Sequence, residues 1–371
     1  MRKLLFPLAV VALAVGLAAS AGNALTATPK SKPLAMRIQA QHVPKATSNP
    51  CAFNFGCDPP LIWHNGPVMG TPATGPIVVR PIFWQPADHS MGATYQKILT
   101  QYLRDVATDS GSNNNVFSTM SEYSGSNGQI SYDVHLGKPV IDKHALPTTN
   151  ACTVGANDAT GIYDDGSGYD ACVSDLNIQA EVEAIIAQKN LPVDYGHIYV
   201  LYLPKHVESC FNPGDSTDPS NFNACTINNY PTAGYCAYHY ITQDATGAIY
   251  ANMPFPIYNS PVGYTCGTTS NANFGTVESP NHSPNADVEI SPTSHEIMEA
   301  VTDPDTVSGY YDANGLENGD ECAYVYGPTA GKLGALWNQT INHHHYLTQE
   351  EFSNVDFNAT GRGCRPTGVV R

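Results

Sequence analysis

Ten cysteines constrain the fold of this 371-residue chain more than any other feature of its sequence. No two of them form a C-x-x-C pair, the spacing typical of a zinc site built from thiolates. In an exported chain, an even number of cysteines favours disulfide bonds. Pairing in sequential order is the simplest arrangement, and it joins Cys210 to Cys225 and Cys322 to Cys364. The others are Cys51, Cys57, Cys152, Cys172, Cys236 and Cys266.

The N-terminal residues predict export. A short basic segment, Met1 to Lys3, precedes an apolar run from Leu4 to Ala19, and small residues suited to signal cleavage follow. The run is shorter than the roughly 20 residues that a membrane span requires, and no basic stop-transfer segment follows it. We therefore expect residues 1–24 to be a signal peptide. The mature protein is expected to be secreted and extracellular, with no membrane partner after signal removal.

The charge balance excludes one class of partner. Lys and Arg number 17 against 33 Asp and Glu, which gives a formal net charge of −16. Because a phosphate backbone would repel such a chain, and because no basic run offsets the charge, we expect no nucleic-acid partner.

Hydrophobic periodicity predicts one large domain. Residues 25–74 lack periodicity and are interpreted as a leader, linker or pro-segment, which leaves residues 75–371 as a single domain. Because strands and helices are both expected, we predict an α+β or α/β domain built around one sheet. The predicted strands are 76–84, 130–136, 197–203 and 236–241, the predicted helices are 94–106, 116–123 and 176–189, and residues 204–235 are expected to form loops.

The segment 291–304 is the most informative about chemistry. Thr293 and Glu296 have the spacing of a helix-capping box, and Pro292 suits the entry to a helix. Pro304 is expected to end that helix. These signals predict a helix that begins near Thr293.

Three side chains on this helix resemble a zinc motif. His295 and Glu299 are four residues apart, so they lie one turn apart on the same face. The pattern parallels H-E-x-x-H, in which two helix residues bind zinc and the intervening Glu activates water, but Glu occupies the second ligand position here. We expect His295 and Glu299 to bind the metal and Glu296 to be the general base. In the alternative interpretation, Glu296 caps its own helix and the other two are ordinary polar residues.

A metal pair on one helix needs a third protein ligand. Asp320, Glu317 and Asp303 are the candidates, because each lies in the acidic sequence downstream of His295. Asp305 ranks low, because the glycine expected before it is absent. His239, at the centre of a predicted strand, is expected to be a half-buried histidine with its own hydrogen-bond partner, with approach to the metal as the alternative.

Two further groups of residues are weaker candidates for metal binding. Oxygen-bearing side chains alternate in a manner that suits a structural calcium loop, although Gly315 is misplaced for an EF-hand. His343, His344 and His345 are interpreted as an exposed turn, since three adjacent residues cannot all face one ion. The residues of the calcium alternative are Asp312, Asn314, Asn318 and Asp320.

Several short strings, in order along the chain, resemble the exordium or phosphate-induced secreted protein family of plants, and more closely its bacterial relatives. The resemblance covers roughly residues 75–364. It implies an extracellular protein linked in plants to growth signalling, with a zincin-like His-Glu-x-x-Glu helix. It favours Asp320 as third ligand, with Glu317 second. The strings are Ile82-Phe83-Trp84, Cys236-Ala237-Tyr238-His239, Ser294 to Glu299 with Asp303-Pro304, Glu317-x-x-Asp320-x-Cys322, and Tyr346 to Asn354.

These observations together predict a disulfide-stabilised, zincin-like α+β fold with a mixed sheet and an active-site helix. The favoured function is a secreted zinc-dependent hydrolase, most simply a peptidase acting on an extracellular peptide or protein, in which Tyr310 or Tyr311 donates a hydrogen bond to the oxyanion. The alternative is a non-catalytic binding or signalling protein that contacts a cell-wall polymer. A glycosidase ranks last, because Glu296 and Glu299 lie too close together to flank a sugar.

Overall fold

The computed structural model of the chain describes residues 35–37, 60–152, 169–211, 224–226, 234–243, 247–256, 279–332 and 334–365. The predicted signal peptide lies outside these ranges, as do Cys51, Cys57 and Cys266. Residues 31–371 group into one compact unit.

In the described part of the chain, ten strands form one mixed sheet at the centre of the fold. They are β1 (Ala35–Arg37), β2 (Ile77–Trp84), β3 (Val134–Leu136), β4 (Val140–Asp142), β5 (Ala171–Ser174), β6 (His197–Tyr202), β7 (Val207–Phe211), β8 (Ala224–Thr226), β9 (Gly234–Ile241) and β10 (Ile249–Met253). Their spatial order is β3-β2-β6-β10-β9-β8-β7-β5, while β4 pairs with β2 and β1 pairs with β9. Pairing is parallel from β3 through β10 and antiparallel between β10 and β9, so the sheet is mixed, as predicted.

Helices cover both faces of this sheet. On one face, α1 (Ala93–Thr108) packs against α3 (Pro284–Thr302), and α3 packs against β9 and β10. On the other face, α2 (Asp175–Lys189) packs against β5, β6 and β7. Each face has its own apolar core, because successive strand residues point to opposite sides.

The helices α1 and α2 begin and end near the predicted residues, for local reasons. In α1 the buried residues recur at three- and four-residue steps, from Tyr95 and Leu99 to Val106. In α2 the side chain of Ser174 accepts a hydrogen bond from the backbone of Asn177 in a capping box. Apolar periodicity in the sequence thus predicts both helices, and the structure adds the cap at Ser174.

The helix α3 corrects a prediction. It begins at Pro284, about two turns before the expected start at Thr293, and Pro292 lies inside it. Proline at the first helical position lacks only an N–H that would have no intrahelical partner, whereas the interior proline removes one backbone hydrogen bond. Burial of the whole helix from Ala286 to Thr302 offsets that loss. Glu296 therefore lies in mid-helix and caps nothing.

Other predictions fail where the apolar pattern is weak. The predicted strand 130–136 is shorter, because Ile130 and Ser131 donate backbone hydrogen bonds to Tyr123 and Gly70 outside the sheet. The expected loop 204–235 contains β7, β8 and the start of β9, since polar residues in β7 conceal its strand character. The predicted helix 116–123 is a 3₁₀ helix, Val116–Glu122.

Short elements complete the fold around α3. Ile62–Trp63 pairs with Tyr310–Tyr311, which ties part of the predicted leader to the chain after α3. Whether residues 25–74 are removed as a pro-segment stays a prediction. The remaining short elements are Ser124–Gly125 with Gly128–Gln129, Ala330–Lys332 with Ala335–Trp337, Gln339–Ile341 with His344–Tyr346, Glu351–Phe352 with Cys364–Arg365, the 3₁₀ turn Asp320–Cys322, and α4 (Asn354–Thr360).

Disulfides join sequential cysteines in the described part of the chain. The pairs are Cys152–Cys172, Cys210–Cys225 and Cys322–Cys364, and Cys236 is also disulfide-bonded. The two pairs predicted by name are therefore confirmed. Disulfides are typical of chains exported to an oxidising compartment. Among the helices that the structure describes, none combines the length and the hydropathy needed to cross a bilayer.

Candidate metal centre

The buried face of α3 brings His295 and Glu299 together. The imidazole Nε2 of His295 lies 2.9 Å from Oε1 of Glu299, and both side chains are 0% exposed. This is the one-turn spacing that the sequence predicts. Because both residues belong to a helix that is buried on all sides, their positions depend on packing against the sheet and α1.

Asp320 reaches the same place from the segment after α3. Its Oδ1 lies 3.8 Å from Nε2 of His295, and its backbone N–H donates to Oε1 of Glu299 at 3.0 Å. The disulfide between Cys322 and Cys364 anchors the 3₁₀ turn that begins at Asp320. Gly319 permits the close approach, because a Cβ there would lie 2.6 Å from Nδ1 of His295. The structure therefore brings the three predicted ligands together.

Donor chemistry and spacing in this group fit a zinc ion. The three side chains offer one nitrogen and two carboxylates, and their ligand atoms lie within 4.8 Å of one another. Ligand atoms that bind zinc tetrahedrally at about 2.0 Å lie about 3.3 Å from one another. The distances from Nε2 of His295 to Oε1 of Glu299, 2.9 Å, and to Oδ1 of Asp320, 3.8 Å, lie on either side of that value. Nε2 of His295 is buried and makes no well-aligned hydrogen bond, although it lies 2.9 Å from Oε1 of Glu299. A buried polar atom without a partner is costly, and a cation bound to Nε2 would satisfy it.

Glu296 lies beside this group. Its Oε1 is buried without a hydrogen-bond partner, 4.0 Å from Nε2 of His295, and its Oε2 lies 3.4 Å from Nδ1 of His239. A general base must reach the water that it activates, so an unpartnered oxygen next to the ligand group suits that role.

His239 is part of the site: it is fully buried, not half-buried as expected, although both of its ring nitrogens have hydrogen-bond partners, as expected. It is 0% exposed, because strand alternation in β9 turns it towards α3 while its neighbours Tyr238 and Tyr240 face α2. Its Nε2 donates to the backbone carbonyl of Asp303 at 3.0 Å. Its Nδ1 faces the carboxylates of α3. The alternative that His239 approaches the metal site is the one that the geometry favours.

The other two candidates for third ligand have different surroundings. Asp303 accepts backbone hydrogen bonds from Gly309 at 2.7 Å and Ser308 at 3.2 Å, so it holds the turn after α3. Glu317 lies nearer to His239, with Oε1 3.7 Å from Nε2, than to the group around His295. Both of its oxygens are buried without a hydrogen-bond partner.

The tyrosines expected to stabilise an oxyanion make hydrogen bonds within the fold. The hydroxyl of Tyr310 donates to the carbonyl of Ser124 at 2.8 Å, and that of Tyr311 donates to the carbonyl of Val307 at 3.1 Å. Tyr311 also stacks on His64. Both hydroxyls therefore already have acceptors within the fold, and a role for either in stabilising an oxyanion stays a prediction.

The ionisation of the site follows from burial opposed by close charges. Burial lowers the pKa of His295, but Glu299 and the neighbouring carboxylates outweigh it and raise that pKa to about 10. Burial raises the pKa of Glu299, yet the two imidazoles outweigh it and hold that pKa at about 2. Burial raises the pKa of Glu296 above its usual value, and raises the pKa values of Glu317 and Asp320 further. Glu299 therefore stays ionised, while Glu296 is better able to take up a proton.

The side chains of the possible calcium loop and of the histidine turn do not come together around one point in the described structure. Oδ1 of Asp312 accepts backbone hydrogen bonds from Asn314 and Leu316, both at 2.8 Å, so it holds its own turn, whereas Asp320 faces His295. A structural calcium ion stays a prediction. The histidines 343–345 are exposed, as expected.

Two carboxylates near the site were not predicted. Glu289 and Glu351 are buried, and burial, with a smaller contribution from Glu296, raises the pKa of both well above the usual value. Glu289 lies seven residues before Glu296, so helical spacing places it on the same face. Glu351 belongs to a short strand distant in sequence, and no local pattern points to it.

Comparisons with protein-family models, with curated proteins and with solved structures found no significant match.

Proposed function

We propose that this protein is a secreted, zinc-dependent hydrolase of extracellular peptides or proteins, built on a zincin-like scaffold related to the exordium family. The observation that carries the proposal is the convergence of His295, Glu299 and Asp320 from a helix and a disulfide-anchored turn. Two of these three side chains present buried atoms that have no hydrogen-bond partner.

Each residue has a separate role. His295, Glu299 and Asp320 would hold the zinc ion, and the Asp320 N–H would orient Glu299 through its hydrogen bond. The ion would polarise the scissile carbonyl and stabilise the charge that develops on its oxygen. Glu296 takes a proton from the attacking water through Oε1 and later returns it to the leaving amine.

A non-catalytic binding protein is the second candidate, and burial of the site favours it. The side chains of His295, Glu296 and Glu299 are all 0% exposed, so a substrate has no direct path to them. In that case the metal would be structural, and a cell-wall polymer would be the partner. Short flexible peptides are the best substrates for a test, since they need less space than a folded protein.

The decisive comparison is between two glutamates of α3. Glu296→Gln removes the proposed base but keeps the shape of the side chain, and Glu289→Gln is the matched control, a buried carboxylate on the same helix outside the ligand group. Zinc content and hydrolysis of a fluorogenic peptide library are measured for both. We expect Glu296→Gln to keep the zinc held by the three ligands and to lose activity by about 10²- to 10⁴-fold.

Three results separate the candidates. Wild-type activity in Glu296→Gln would remove the base from the mechanism, and activity that survives complete zinc removal would remove the metal. Zinc-loaded protein that cleaves no peptide, yet is retained on cell-wall glycans, would favour the binding protein. Glu289→Gln should match the wild type in both measurements.

A further inference from the structure

Glu299 has two oxygens, and each faces a different group of donors. Its Oε1 faces His295 and Asp320. Its Oε2 lies 3.6 Å from Nδ1 of His239, which is also 3.4 Å from Oε2 of Glu296. The ligand atoms of His239, Glu296 and Glu299 all lie within 4.8 Å of one another. Two groups of three donors therefore share one carboxylate.

The hydrogen bond made by one ring nitrogen of His239 turns the other towards the second group. Its Nε2 contacts the carbonyl of Asp303, which can only accept, so a hydrogen lies on Nε2. Nδ1 therefore faces Oε2 of Glu296 at 3.4 Å and Oε2 of Glu299 at 3.6 Å. Three such atoms in a buried space require a positive charge between them, which either a proton on Nδ1 or a bound cation supplies.

The spacing of the second group suits a metal ion. The two distances from Nδ1 of His239, 3.4 and 3.6 Å, are close to the roughly 3.3 Å that separates tetrahedral ligands bound at about 2.0 Å. They are longer than the roughly 2.7–2.9 Å of a strong charged hydrogen bond. Oε2 of Glu299 is buried and has no hydrogen-bond partner.

The composition of the surroundings also favours a cation. Around the two imidazoles the structure describes five buried carboxyl groups, and a cation can coordinate several of them at once. The carboxylates are those of Glu296, Glu299, Asp303, Glu317 and Asp320.

We propose that the site binds a second divalent cation between Nδ1 of His239, Oε2 of Glu296 and Oε2 of Glu299, with Glu299 bridging the two ions. The effect of this second ion on activity rests on the proposed function. A carboxylate that coordinates a cation is a weaker base, so the second ion inhibits hydrolysis by occupying Glu296. The centre is active with one ion and inhibited with two.

Counting bound zinc tests the second site without reference to activity. Metal-free protein is dialysed against graded Zn²⁺, and the zinc bound per chain is determined by elemental analysis. In His239→Gln the new amide nitrogen replaces Nε2 and keeps the hydrogen bond to Asp303, but the Nδ1 ligand is lost. Glu296→Gln weakens the same site in a second way, and Glu289→Gln is the control.

We expect two ions in the wild type and in the control, and one ion in His239→Gln and in Glu296→Gln over the same zinc range. The affinity for the second ion should fall about tenfold or more in each. Zinc bound at exposed histidines, such as His343, is common to all four proteins and cancels in the difference. Identical binding curves for the wild type and His239→Gln would overturn the second site and leave a proton between His239 and the carboxylates.

The two proposals fail in different ways. One ion per chain with peptide hydrolysis refutes the second site and leaves the hydrolase intact. Two ions that depend on His239 without any hydrolysis support the second site and refute the hydrolase. Where both hold, zinc above one equivalent inhibits the wild type, whereas His239→Gln keeps its own maximal activity in the same excess.

Discussion

Two buried acidic regions on the same side of the sheet have opposite surroundings. Asp105 of α1 is 0% exposed, and both of its oxygens accept hydrogen bonds. The carboxylates of Glu296, Glu299 and Glu317 are equally buried, but each has at least one oxygen without a hydrogen-bond partner. The donors to Asp105 are Gln101 at 2.7 Å, Asn342 at 3.0 Å, Tyr346 at 2.5 Å and His344 at 2.8 Å.

This difference separates a structural carboxylate from one that is suited to a ligand. A buried charge is tolerated when hydrogen bonds replace its hydration, and Asp105 has enough of them. The α3 group, meaning the carboxylates of Glu296 and Glu299 with the neighbouring Glu317, has fewer such donors than Asp105. The protein therefore tolerates the α3 group at a cost in stability that a cation would offset.

The largest expected effect is at Asp105. Asp105→Ala removes the common acceptor of several buried donors, including Tyr346 and Asn342, and should lower the free energy of unfolding by about 3–5 kcal/mol. Urea denaturation checks this. A loss below about 1 kcal/mol would break the comparison, because the hydrogen bonds around Asp105 would then contribute little.

Zinc should have a comparable effect through the α3 group. At free zinc about 1,000-fold above its dissociation constant, ligand linkage raises the free energy of unfolding by about 4 kcal/mol. Asp320→Asn should lose most of this increase, and Glu289→Gln should keep it. Denaturation curves with zinc and with a chelator provide the measurement, and superimposable curves for the wild type would contradict the idea that a cation satisfies the group.

Glu350 tests the cost of an unsatisfied carboxylate away from the metal ligands. Burial raises its pKa to about 8, and its Oε1 has no hydrogen-bond partner. Because the folded state holds this proton more tightly than the unfolded state, stability should fall as pH rises from about 4.5 to about 8.

Glu350→Gln removes this pH dependence. The variant should unfold like the wild type at pH 5 and should be more stable by about 1–3 kcal/mol at pH 9. Denaturation at both pH values checks the sign. A variant that gains stability at pH 5 but not at pH 9 would show that burial does not set the protonation of Glu350.

The smallest expected effect is at His344. This side chain pairs with Asp105 but is 46% exposed, so solvent screens the pair. His344→Ala should cost less than about 1 kcal/mol, because Asp105 keeps its other donors, and zinc content should not change. A loss of bound zinc in this variant would instead assign metal binding to the histidine turn.

The sequence predicts local parts of the site and misses what the tertiary fold supplies. Helical spacing places His295 and Glu299 on one face, and the family resemblance favours Asp320, with Glu317 second, over Asp305; Asp320 is the one that lies beside His295. The role of His239 depends on which face of β9 packs against α3. The sequence of this eight-residue strand does not determine which face that is. The sequence does not reveal that α3 begins at Pro284, because Pro292 resembles the first residue of a helix. In the structure Pro292 lies inside α3, where burial of the helix offsets the lost hydrogen bond.

An anomalous difference map collected at the zinc edge from crystals of the zinc-loaded protein would show whether α3 and the turn after it hold a metal ion. We expect a peak about 2.0–2.2 Å from Nε2 of His295 and from carboxylate oxygens of Glu299 and Asp320. In excess zinc, a second peak should lie beside Nδ1 of His239. A map without a peak at His295, or with zinc only at the exposed histidines 343–345, would show that these residues do not form a zinc site.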